Sequence, residues 1–216
     1  MKDEPNMCLR AAVLLALLCG LRLGEVGALR LSDVDWKRGT IDISHALKYT
    51  PQTGSFEGPP KSEAGERIIA LPVGMMAVLD QTRAYQEDCK RAAPHLWVGE
   101  GWIVHAWNGA QLHHDTPSRW FRHFADAHGF EGVRFHDLRH THASTLLANG
   151  IDAVAVASRM GHEDASTTLR VYAHALRRRD DDAARVWQSF LDAASVQPKT
   201  PEPVENDGFA PSPDAQ

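Results

Sequence analysis

The run Ala11-Ala-Val-Leu-Leu-Ala-Leu-Leu-Cys-Gly-Leu21 has no polar side and stops at Arg22. A helix apolar all round must be covered all round, so this stretch predicts a central core helix on which the other elements pack. Its eleven residues fall well short of the ~20 needed to cross ~30 Å of hydrocarbon. A secretory or lipoprotein leader fits poorly: Asp3 and Glu4 replace the basic start, and Leu18 is too bulky to precede a lipidated cysteine. A buried helix that delivers Arg22 at its end accounts for the run. The 216 residues, 43% apolar and 24% charged, suit one soluble globular domain with a sizeable core. Cys8, Cys19 and Cys89 have neither paired nor metal-like spacing, which predicts reduced thiols, no disulfide and a cytoplasmic setting.

Six polar residues carry the chemistry: Arg22, Lys61, His136, Arg139, His162 and Tyr172. Arg22 lies in Cys-Gly-Leu-Arg-Leu-Gly-Glu (19–25), and His136 and Arg139 lie in Phe-His-Asp-Leu-Arg-His-Thr-His (135–142). His162 and Tyr172 lie in Met-Gly-His-Glu-Asp-Ala-Ser-Thr-Thr-Leu-Arg-Val-Tyr-Ala-His (160–174). Breaking a phosphodiester without a metal needs a nucleophile, positive charge around the phosphoryl oxygens and an acid for the leaving oxygen. A tyrosine hydroxyl, with a pKa of about 10, needs deprotonation or a strongly polarised phosphate to attack at neutral pH. Arginine offers a planar fork of donors to non-bridging oxygens, which suits such a transition state better than a lysine point charge.

Over roughly residues 8–194 this ordered set resembles the catalytic domain of the tyrosine recombinases, or phage-type integrases; no single motif in it is specific alone. The resemblance implies an α+β, mainly helical fold with a small antiparallel sheet. It implies that Arg22 and Arg139 clamp the scissile phosphate, Lys61 protonates the departing 5′-oxygen and His136 acts as acid/base towards Tyr172. His162 would hydrogen-bond the phosphate, and Glu25 would orient the arginines. The implied activity is site-specific cleavage and rejoining of double-stranded DNA through a 3′-phosphotyrosyl intermediate, with four protomers on two duplexes and no cofactor or metal. Accessory DNA-bending or directionality proteins are further implied partners.

Along the chain, residues 23–31 read as a short helix leaving through Leu31–Asp35, and Thr40–Ser44 and Arg67–Leu71 read as neighbouring strands. Lys61 falls in the turn-rich Gly58–Arg67, on a hairpin able to reach a minor groove. Taken without the other five residues, Lys61 reads as a solvated loop lysine. Met75, Met76, Leu79 and Thr82–Tyr85 mark a core helix, and Thr116 should cap a helix with Pro117 in its first turn, a Trp120/Phe121/Phe124 stripe and Gly129 at its end. His136 and Arg139, three apart, should share a helix face; Asp152 should cap a helix over 153–160, and Gly161 should turn the chain to present His162.

Twelve histidines raise the question of a metal. His136 and His140 would share a face, His142 would point away, and no carboxylate completes a familiar ligand pattern. No metal site is therefore expected, and His113, His114, His123 and His128 read as surface or core residues. A last helix carries Val186, Trp187, Phe190, Leu191 and Ala194 on one stripe. By the resemblance it packs on a neighbouring protomer in a tetramer on DNA, with Trp187 and Phe190 as anchors. The domain then ends near 194, and 195–216, with five prolines, reads as a disordered tail.

Two features run against the resemblance. The net charge is −5, unusual for a DNA binder, although residues 117–178 hold eight Arg against six Asp plus Glu. Arg22 also comes almost at once, where such recombinases carry a separate helical DNA-binding domain first, so the chain reads as the C-terminal part of a longer protein. Two alternatives follow: a non-catalytic DNA binder, since 149–162 followed by 166–172 reads like a helix-turn-helix, and an inactive truncated remnant. A pure binder needs neither Tyr172 nor Lys61.

Overall fold

The computed structural model describes residues 4–164, 166, 168, 185–190 and 192. Those through 168 fall in one compact unit and those from 185 in a second; the two are described separately. Tyr172, Leu191, Ala194 and the proline-rich 195–216 lie outside the described residues.

The first unit is built around α1 (Met7–Cys19). Asn6 Oδ1 accepts the Leu9 N–H at 3.0 Å to start it, and the run that follows is buried at Ala11, Ala12, Val13, Leu15, Ala16 and Cys19. The predicted core helix is thus present, with α3 (Val73–Ala92), α4 (Thr116–Ala127) and α5 (Phe135–Ala148) packed against it. Cys8 and Cys19 are buried free thiols whose pKa values desolvation raises to about 11, so they stay protonated and inert at neutral pH. Among the described residues, no helix is long and apolar enough to cross a membrane.

After α2 (Leu23–Ala28) and a 3-10 turn at Leu31–Asp33, β1 (Val34–Asp35), β2 (Thr40–Ile43) and β5 (Arg67–Ala70) form an antiparallel sheet in the order β1-β2-β5. Ile41 pairs with Ile69, and these residues with Ile43 point into the core while Asp42 and Ile68 face out. This is the predicted strand pair. The helix expected over 23–31 ends earlier, at Ala28, because Leu29 leaves helical geometry (ψ 136°) and Arg30 pairs with Trp102 as an isolated bridge.

A second hairpin, β3 (Ala46–Thr50) with β4 (Gly54–Gly58), was not foreseen. Its anchor is Glu57, which accepts from Arg30 Nη2 (2.9 Å), Trp102 Nε1 (3.0 Å) and Gln111 Nε2 (2.6 Å). Those partners come from three distant places in the chain, so local pattern could not announce the contact. α4 starts one residue earlier than expected: Asp115 occupies the N-cap position, the expected cap Thr116 is the first helical residue, and Gly129 (φ 77°) follows the end as expected. α6 (Ala153–Met160) matches its prediction, Asp152 Oδ2 accepting from Val154 N at 2.9 Å and Ala155 N at 3.0 Å.

Candidate active site

Two left-handed glycines frame the site. Gly20 ends α1 at φ 72°, and Gly161 ends α6 at φ 64°. A Cβ on Gly20 would sit 2.6 Å from the His142 ring and one on Gly161 2.9 Å from the Ala64 carbonyl, so both conformation and space require glycine. Arginines then use the carbonyls these turns expose. Arg22 Nη2 donates to Gly161 O at 2.7 Å, while Arg139 donates through Nη1 to Gly20 O and through Nη2 to Met160 O. Arg139, only 3% exposed, thus joins the end of α1, just before Arg22, to the end of α6, just before His162.

Glu25 organises the other side. It lies on α2 with 1% of its surface exposed. Its Oε1 accepts from Arg22 Nη1 (2.8 Å) and Arg67 Nη1 (3.0 Å), and its Oε2 accepts from the Arg22 backbone N–H (2.8 Å) and Arg67 Nη2 (3.0 Å). Burial alone would raise its pKa, but the hydrogen bonds and charges of Arg67 and Arg22 outweigh it and hold the carboxyl below the usual range. Arg67 continues the chain of contacts through Nε to Arg159 O at 2.7 Å and Nη1 to Gly65 O at 2.7 Å. Sequence reasoning assigned Glu25 to orienting the arginines and missed Arg67, which opens a strand and reads locally as a solvated charge.

Arg22, Lys61 and His162 line one cleft of about 360 Å³, together with Ser62, Gly161, Glu163 and Asp164. Three of the six expected residues therefore meet, although they lie on α2's entry, the segment after β4 and the turn after α6. Lys61 reaches this cleft from the irregular stretch between β4 and β5 and not from a hairpin tip. Burial, then Arg139, Arg22 and Arg67, push the His162 pKa down to about 4, so the ring is neutral at pH 7. His162 Nδ1 lies 2.8 Å from Thr168 Oγ1. With that hydroxyl donating, the ring proton sits on Nε2, which can donate a hydrogen bond to a phosphate oxygen.

His136 and Arg139 occupy the same side of α5 but different surroundings: Arg139 is buried and His136 is exposed one turn away. The His136 ring meets His140 edge to face at 4.7 Å between centroids. Partial desolvation, then the charges of His140 and Arg139, keep its pKa below the ordinary histidine value, which suits a proton acceptor. It does not line the cleft itself. Tyr172 lies outside the described residues.

His142 points away from the His136/His140 pair, as expected, and serves the frame. Its Nδ1–H donates to Leu17 O (3.0 Å), and its Nε2 accepts from Arg159 Nε (3.2 Å). Burial, then the Arg159 charge, lowers its pKa from 6.5 to about 4. The unfolded chain therefore takes up a proton near pH 6.5 that the folded ring refuses until about pH 4. Stability from the neutral ring is complete above pH 6.5, falls as pH drops through that window and is gone below it, a change of about 3 kcal/mol. Urea unfolding at pH 7, 5.5 and 4 should show this loss on top of that from His162, and His142→Gln should shrink the dependence on pH; an unchanged slope in that variant would refute the assignment.

Comparison with known proteins agrees with this geometry. Residues 2–179 match the model of the phage integrase family. The chain is 30% identical over 199 residues to the integrase of Staphylococcus phage L54a, covering 88% of this chain and 56% of that protein. It is 26% identical over 177 residues to the ICEBs1 integrase of Bacillus subtilis (strain 168), covering 82% and 47%. Among solved structures, the fold resembles the Tn1549 transposon integrase in complex with a circular intermediate DNA (TM-score 0.69, 22% identity, 88% of this chain and 60% of that one). It also resembles XerA recombinase (TM-score 0.62, 21% identity, 82% and 57%). A mainly helical α+β unit with an arginine-framed cleft is the tyrosine-recombinase catalytic fold, and the chain belongs to the phage integrase family. It spans about half the length of the curated relatives it matches.

Proposed function

We propose that this chain supplies the strand-cleaving half of a site-specific DNA recombinase. The observation that carries the reading is the convergence of Arg22, Lys61 and His162 on one cleft, with Arg139 bracing the backbone behind two of them. A scissile phosphate in that cleft would have its non-bridging oxygens held by the Arg22 guanidinium and by His162, while Arg139, expected from the sequence to share the clamp, does not line the cleft and instead fixes the backbone before each of them. The Tyr172 hydroxyl attacks phosphorus, its proton passing to His136, and a 3′-phosphotyrosyl ester forms as the bond to the 5′-oxygen breaks. Lys61 gives the departing oxygen its proton. The ester keeps the energy of the broken linkage, so a 5′-hydroxyl from a second strand reverses the step without ATP.

The partner is double-stranded DNA, consistent with relatives solved in complex with DNA. Exchange between two duplexes calls for four protomers. The last helix is suited to joining them: in the second unit Trp187 and Phe190 are 70% and 64% exposed, with ring centroids 6.1 Å apart. A catalytic domain over 1–194 with a tail over 195–216, activity in the cytoplasm and accessory proteins that set direction belong to the same proposal.

The test is covalent trapping. Incubated with duplex DNA carrying 5′-bridging phosphorothiolates in random sequence, then denatured, the protein should yield a DNA-linked species that Tyr172→Phe abolishes. DNA binding with no adduct would favour a non-catalytic helix-turn-helix-like binder. A folded protein that does neither would be a remnant.

A further inference from the structure

His113, His114 and Asp115 form the turn into α4, where the Thr116 N–H donates to His113 O at 3.0 Å. On an extended backbone, neighbouring side chains point to opposite sides. Here the turn brings the two imidazole rings to 4.3 Å, and Tyr49 of β3 stacks on His114 at 4.2 Å and meets His113 edge-on at 5.6 Å. Asp115 holds the N-cap position, yet its carboxylate caps no helix amide. It turns instead to His113 Nδ1, 2.7 Å away, with Arg119 at 3.4 Å. One ligating atom from each of the three residues then lies within 4.8 Å of the others. Among the described residues no other trio of His, Cys, Asp and Glu converges in this way. His114 Nδ1 is moreover shielded from solvent and has no hydrogen-bond partner, a situation that polar atoms in folded proteins rarely tolerate.

We propose that His113, His114 and Asp115 bind a divalent transition metal of the zinc class, with water completing the coordination. Two nitrogens and one carboxylate oxygen suit Zn²⁺, Co²⁺ or Ni²⁺, whereas Mg²⁺ and Ca²⁺ select oxygen-only sites. The ion would replace the proton shared between His113 and Asp115 and would displace Arg119 from the carboxylate. It would thereby pin the entrance of α4 beside the β3–β4 hairpin through the Tyr49 stack.

Titration of the tag-free full chain with Co²⁺, followed by visible absorption and then by Zn²⁺ displacement, tests this. One saturable site is expected. His114→Ala and Asp115→Asn should each weaken it about tenfold or more, Arg119→Gln should tighten it by removing the competing cation, and Mg²⁺ should not compete. The pair His136/His140, at helical spacing, is the rival locus. Binding lost in His140→Ala but kept in His114→Ala would overturn the proposal, as would the absence of saturable Co²⁺ and Zn²⁺ binding by a chain whose thermal melt shows it folded. The gain expected from Arg119→Gln keeps the test decisive even if a ligand substitution disturbs the turn.

Discussion

Glu25→Gln should cost this protein about 3–5 kcal/mol of folding stability, the range seen when one partner of a buried ion pair is removed. The carboxylate takes four hydrogen bonds at 2.8–3.0 Å, two from Arg67 and two from Arg22. The side chain of Arg67 is 8% exposed, so without the charge its guanidinium is stranded in a poor solvent for a cation. Glutamine keeps the shape but supplies one acceptor oxygen where two were used. For a domain of this size the loss corresponds to roughly 10 °C in melting temperature. Arg67→Met removes the stranded charge, so the double variant should recover part of the loss. A single-variant cost below about 1 kcal/mol in urea unfolding would show that solvent reaches the pair and that Glu25 does not organise the site. The same variant should also slow cleavage, because Arg22 loses the partner that sets its fork against Gly161.

Lys61→Ala should reduce cleavage of ordinary DNA by about 10²–10⁴-fold, the usual worth of a general acid. On a substrate with sulfur at the 5′-bridging position the loss should shrink to a few-fold, because a thiolate leaves readily without a proton. Binding of intact DNA should change little, since one exposed lysine carries only a small share of phosphate contacts. This pattern separates the proposed acid from a lysine that only attracts DNA, for which both substrates would suffer alike. Equal losses on oxygen and sulfur substrates would sink the role. The assignment rests on position: Lys61 shares its cleft with Arg22 and His162 although thirty-nine positions and two sheets of strands separate it from Arg22 in the chain.

Much of the frame was legible in one dimension because it is built from local rules. The all-apolar run before Arg22 could only be a covered helix. Asp152 and Gly161 bracket α6 as cap and left-handed turn, and the alternation in 40–44 with the β-branched apolar run 67–71 marks the neighbouring strands β2 and β5. The β3–β4 hairpin escaped notice because its anchor, Glu57, is held by Arg30, Trp102 and Gln111, none of them a sequence neighbour. The cluster at His113, His114 and Asp115 escaped for a related reason. Adjacent histidines read as surface residues until a turn and the distant Tyr49 bring their rings together.

Which side chains this protein can use, and the short-range geometry that presents several of them, follow from the order of residues alone, since helix caps, glycine turns and strand alternation depend on residues a few positions apart. It also carried the family membership, through an order of motifs that no single element explains. That Arg67 belongs with Glu25, that Arg139 ties Gly20 to Met160, and that Lys61 lines the cleft beside Arg22 and His162 became visible only in three dimensions. Those are contacts between charged groups far apart in the chain, and their energy depends on burial. A buried arginine and a solvated one are the same letter, and the low-dielectric surroundings that distinguish them exist only once the core has closed around α1.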